Sequence, residues 1–197
     1  KFLWGFDMAG VTGAIAGLEK KFGIHYSFDG YQQLSFLLSL CVIRIRKKEY
    51  AEIPADFGHQ RAEWQGLEYD LSMAETCMES LKEYYHTDFP EGEKQFTVLV
   101  LGAAEIQEFT DEASRQTYME ANQNICRVTD KVISITGNIL GQGLDRDDYL
   151  FDSLLLYMKS KTLKLRCGIL EENPLKGGSE VQVSQYLCRC LVGKSYH

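Results

Sequence analysis

One stretch limits the folds open to this chain more than any other: Phe28–Tyr50, FDGYQQLSFLLSLCVIRIRKKEY. Its spacing predicts a single long helix. Ser27 or Asp29 supplies the start, because a short polar side chain accepts from the free N–H groups of a first turn. Arg44, Arg46, Lys47 and Lys48 crowd the end, where the helix dipole favours cations. Leu34, Leu37, Leu38, Cys41 and Ile45 form one apolar stripe. Phe36, Leu40 and Ile43 form a second on another side. A surface helix needs only one stripe. Two stripes imply packing on both sides, or packing inward and also against a partner.

The stretch has an echo. A shift of 120 places Leu34 on Leu154, Leu38 on Met158, Arg44 on Lys164, Ile45 on Leu165, Arg46 on Arg166 and Pro54 on Pro174. Ile15 falls on Ile135 in the helix before each. A leucine-dense helix with a cationic end and a following proline therefore reads as occurring twice. The expected organisation is all-α: two tandem helical-bundle modules, 1–109 and 110–197. The second is incomplete, since it stops before any counterpart of 78–109.

The remaining elements fit that organisation. Asp7–Phe22 predicts a helix ended by Gly23. Its glycines at 10, 13 and 17 each weaken it by about 1 kcal/mol relative to alanine, which points to tight packing. Ile24–Asp29 is a link. Ala51–Gly58 is a turn on Pro54, and His59–Gly66 a short helix. Leu67–Tyr85 is a helix with Leu71, Ala74, Met78, Leu81 and Tyr85 as its stripe. HTDFPEGE breaks it, and Pro90 suits the first turn of the next helix. That helix covers QFTVLVLGAAEIQEF, although its FTVLVL core also fits a buried strand. One long helix then runs from about Asp111 to Leu140, with Tyr118, Ala121, Ile125, Val128, Val132 and Ile135 on one face. Asp145–Arg166 follows. Residues 176–197 lack periodicity, with a hint of extension at Val181–Val183.

Composition narrows the function classes. A net charge of −7 and a pI near 5.2 argue against nucleic acid as a direct partner. No run of about 20 apolar residues suits a membrane span. The start, KFLWGFDMAG, has no signal-peptide core and no initiating Met, and reads as an excised fragment. Of the six cysteines, at 41, 77, 126, 167, 188 and 190, three sit in apolar helical patterns, as buried reduced thiols do, which fits the cytoplasm. Nucleotide-loop and hydrolase signatures are missing. Cys188 and Cys190 with Cys167 and His197 lack a second CxxC at metal-site spacing. The carboxylates at Asp145–Asp148 and Asp88–Glu93 read as helix-start residues. The expectation is a non-enzyme with no catalytic residue, cofactor or metal.

Three stretches carry a likeness to a known family: LSFLLSLCVIRIRKKEY, FPEGEKQFTVLVLGA and LLLYMKSKTLKLRCGILEENPL. They resemble, in turn, the second and last helices of one PTS regulation domain (PRD) and the beginning of the next, including its GI…NPL ending. The resemblance covers about residues 5–176. PRDs are helical modules of bacterial antiterminators and activators of sugar operons. The resemblance implies a regulatory and dimerisation module of such a transcription regulator, a homodimer that meets phosphocarrier or sugar-transporter proteins of the phosphotransferase system. It also implies histidine phosphorylation. Yet Leu37, Val100 and Tyr157 stand where the acceptor histidines are expected. His86, in the HTDFPEGE break, is the open surrogate acceptor. His25, His59 and His197 read as a solvated loop, a solvated loop and a chain end. Phe36, Leu40, Arg44 and Lys164 are the expected interface or regulatory residues. The alternative is a helical protein–protein interaction domain unrelated to sugar phosphotransfer.

Overall fold

The computed structural model describes residues 5–52 and 66–166. Among these, the chain forms seven α-helices and one two-stranded sheet, so the fold is all-α in class. Helix α1 spans Ala9–Phe22 and ends at Gly23 in the left-handed region. Strand β1 is Ile24–Tyr26 and helix α2 is Phe28–Lys47. Helices α3 and α4 cover Leu67–Tyr85 and Glu91–Ala103. Strand β2, Ile106–Phe109, leads to α5 at Glu112–Ala121 and α6 at Gln123–Leu140. A 3-10 turn at Leu144–Arg146 precedes α7, Asp148–Arg166.

Helix α4 explains the ambiguity of its sequence. Every residue from Phe96 to Ala103 is buried, so this part of the helix has no polar face to give it a helical period. It packs against α3, α2 and α7. The α1–α3 contact closes the bundle, and β2 also lies against α7. A single apolar cluster runs from Val11 and Ile15 through Leu38 and Phe96 to Leu155 and Leu163.

Several sequence expectations need correcting. The helix over QFTVLVLGAAEIQEF stops at Ala103, and its EIQEF end is strand. That strand pairs antiparallel with β1, Ile24 opposite Phe109 and His25 opposite Glu108, with a bulge between His25 and Tyr26. Two links, each between helices, thus satisfy one another's backbone groups. The helix expected from Asp111 to Leu140 is broken at buried Asn122, whose backbone leaves the helical region at φ −117° and ψ 32°. Its side-chain amide donates to the Tyr118 carbonyl, as a short polar side chain does when it competes with the helix ladder. The predicted face also divides, past the break, between Ile125 and Val128. Tyr118 and Ile125 are buried, whereas Val128, Val132 and Ile135 are 50, 40 and 51 % exposed. Helix α7 begins three residues later than expected.

The glycines of α1 are also unlike one another. A Cβ at Gly10 would run into the rings of Tyr84 and Tyr85, so close packing holds there. Gly13 and Gly17 face open space. The turn at 53–58, the short helix at 59–65, the GI…NPL ending, His59 and His197, Cys167, Cys188 and Cys190, and residues 176–197 lie outside the described residues.

Two helix starts repeat at the offset of 120. Ser27 Oγ accepts from Gly30 N at 3.0 Å, and Asp147 Oδ1 accepts from Leu150 N at 2.9 Å. The helices they cap, α2 and α7, begin at Phe28 and Asp148.

Candidate functional site

The best-defined polar constellation lies between α2 and α4. The Ser27 N–H donates to the Glu105 carbonyl at 2.9 Å, which joins the start of α2 to the end of α4. The far end of α2 meets the start of α4 through Arg44 and Glu93, so the two helices run antiparallel. Arg44 Nε and Nη2 donate to the two Glu93 oxygens at 2.9 and 2.7 Å, a bidentate fork. Ala51 N donates to the same carboxylate at 2.7 Å, and the Cys41 thiol at 2.9 Å. Gly92 is needed here, because a Cβ would meet the Ala51 carbonyl. The Arg44 guanidinium also stacks on Phe96, 4.5 Å from the ring centre. Glu93 is fully buried, and Arg44 is 7 % exposed.

This arrangement has no open face for a substrate. Burial, and then the negative Glu93 beside it, push the Cys41 thiol well above its ordinary value. Burial pushes Cys77 up to about 12. Both thiols stay protonated and are poor nucleophiles. The network joins helices. It is a satisfied carboxylate with one unpaired Arg44 nitrogen, Nη1, rather than a catalytic pair.

The resemblance-derived positions are arranged around it. Leu37 and Arg44 are two turns apart on α2, and Glu93 and Val100 two turns apart on α4. Because the helices are antiparallel, Leu37 and Val100 stand at matching levels. They are 8 and 5 % exposed and belong to the core. Tyr157 is different: it is 58 % exposed, with Lys161 Nζ 5.3 Å from its ring centre. His86 is exposed and closes α3 with φ 52°. Phe36 is 39 % exposed and Leu40 half-buried. Arg44 and Lys164, expected at an interface or in regulation, are buried within the chain. Lys164 is 5 % exposed, and it and Lys161 reach Glu105 at 3.2 and 3.1 Å. Burial raises the Glu105 carboxyl, but the two ammonium groups more than offset this and hold it below its ordinary value.

A second buried pair joins α3 to α7, with Lys159 Nζ 2.7 Å from Asp70 Oδ2. Tyr69 and Tyr118 stack edge to face beside it, and burial raises both phenols. The sequence reading gives Glu93 only as a helix-start carboxylate and does not single out Asp70. Glu93 shares a helical face with Phe96 and Val100, and Asp70 with Met73, Cys77 and Leu81. A carboxylate on an apolar stripe was the signal. Lys159, between Leu155 and Leu163, carried the same one.

Among the described residues, no group of three or more His, Cys, Asp and Glu side chains is placed to hold a metal ion. No helix of the described residues is long and apolar enough to cross a membrane. Comparison with protein-family models, with curated proteins and with solved structures gives no match.

Proposed function

We propose that the chain is a regulatory and dimerisation module of a bacterial sugar-operon transcription regulator, built from two PRD-like units, 1–109 and 110–197. On this reading it works without phosphate at the usual acceptor positions. The observation that carries it is the recurrence at offset 120 of one helix with its cap and its buried cation: Ser27, α2 and Arg44, then Asp147, α7 and Lys164. The burial of Leu37 and Val100 supports the second half of the reading. Leucine or valine on such a face is worth about 1.5–3 kcal/mol when removed from water. The α2–α4 contact therefore stays closed whatever the sugar supply, and a charged group cannot be attached at either position. Homodimerisation belongs to the same reading, with Phe36 and the exposed aliphatics of α6 as surfaces open to it.

The test is incubation with the phosphocarrier proteins and their phosphoryl donor, followed by intact-mass measurement. The expected result is no added phosphate. Stoichiometric phosphate on any histidine, His86 included, overturns the reading.

A further inference from the structure

A groove of about 550 Å³ runs between α3 and α4. Its floor is apolar. Leu71 and Met78, two turns apart on α3, are only half-buried although they pack against the core, and Val98 of α4 lies opposite them. Its rim is acidic. Glu75 and Glu79 follow Leu71 at successive turns of α3, and Glu91 stands on the α4 side. Lys82 and Asp88, 2.5 Å apart, neutralise each other at one end. Lys94 is the other cation of the lining, so among the described residues four carboxylates face two ammonium groups.

We propose that this groove binds a cationic amphipathic helix of a partner protein. Its apolar face lies on Leu71, Met78 and Val98, and its lysines or arginines lie against Glu75 and Glu79. The proposal does not depend on the sugar-operon reading. The α3 wall from Leu67 to Lys82 is about 22 Å long, which accommodates about four helical turns. Helices dock in such grooves through apolar anchors at i, i+3 or i+4, and i+7. Met78 is an unbranched thioether that adapts to varied anchors. The acidic rim selects the sign of the partner's charge, since like charges brought together across an interface cost several kcal/mol. Nucleic acid and anionic lipid are disfavoured for the same reason. A second copy is disfavoured at this groove, because the same acidic rim on both copies would bring like charges together.

The probe is a dye-labelled Leu/Lys model helix of about four turns, titrated against the full chain by fluorescence anisotropy. A Leu/Glu helix of equal length serves as the comparison. Glu75→Lys with Glu79→Lys reverses the rim, and both side chains are exposed, so the fold is retained and circular dichroism checks it. Glu108→Lys with Glu120→Lys makes the same change in net charge away from the groove. The expected result is binding of the Leu/Lys helix, weakened about tenfold or more by the rim variant and about twofold or less by the distant one. Equal weakening by both variants would mean attraction to net charge alone and overturn the proposal. So would equal binding of the Leu/Glu helix, or no binding at all. A change of association state with the rim variant would assign the groove to a second copy and reject it as well.

Discussion

Glu93 accepts four hydrogen bonds in a site without water contact, and its neighbours are arranged to supply them. The worth of such a pair depends on what replaces it. Removing one partner leaves a buried charge uncompensated, which costs about 3–5 kcal/mol, whereas an apolar pair of similar volume is often neutral. Glu93→Gln is therefore expected to lower the urea-unfolding free energy by about that amount. Arg44→Met with Glu93→Leu should recover most of it in the same assay. Acid acts through carboxyls whose titration the fold shifts. Glu105, Asp7 and Asp111 have carboxyls held below their ordinary values. For Glu105 burial is outweighed by Lys164 and Lys161, and for Asp7 and Asp111 the leading cause is a backbone hydrogen bond, from Ala9 and Ser114. A depressed folded pKa contributes stability that is present above the unfolded value and lost as pH falls through the folded one. Asp152, raised by burial against the pull of Arg115, has the opposite sign. Urea midpoints should fall below about pH 4. Glu105→Gln should be less stable than the parent at neutral pH, with a smaller acid-induced loss.

Helix α1 shows how one residue type takes two roles within a few turns. Alanine is favoured over glycine in a helix interior by about 1 kcal/mol. At Gly17, which faces open space, nothing opposes that gain. At Gly10 the added methyl meets the Tyr84 and Tyr85 rings, and Tyr85 also donates to the Asp7 carbonyl at 2.6 Å. Gly17→Ala is expected to raise the thermal midpoint and Gly10→Ala to lower it, each read by circular dichroism. The sequence presents the two glycines alike, because periodicity reports which face a residue occupies and not what stands opposite. The same limit produced the other misreadings of elements. The cap before α2, the left-handed stop at Gly23 and the whole of α3 were legible, since each depends on residues within one or two turns. The strand at Ile106–Phe109 and the break at Asn122 were not. The strand exists because β1 lies beside it; the bond from Asn122 to the Tyr118 carbonyl is local, but the burial of Asn122 comes from tertiary packing.

Across the molecule, the described part of the second half is not a separate body beside the first. Helix α7 packs on α4 and β2, Lys159 reaches Asp70, and Ser160 donates to the Ala103 carbonyl at 2.8 Å. One apolar cluster contains residues of both halves. Cooperative unfolding follows, since elements that share a core lose their contacts together. Far-ultraviolet dichroism and tyrosine fluorescence should give coincident thermal transitions. Lys159→Met, which leaves Asp70 buried without this ammonium partner, should lower both midpoints together. Two resolved transitions would show that the halves fold independently.

Most helix positions and the apolar stripes of α2 were written in the order of the residues, because they arise from short-range spacing, capping and side-chain size. Which acids are buried, which glycine is crowded and which apolar stripe stays in water were settled when distant segments met. Leu37 and Val100 were recognisable along the chain as positions without a nucleophile. That they lie at one level of an antiparallel pair, closed by Arg44 and Glu93, depends on residues 49 apart in sequence forming one buried ion pair.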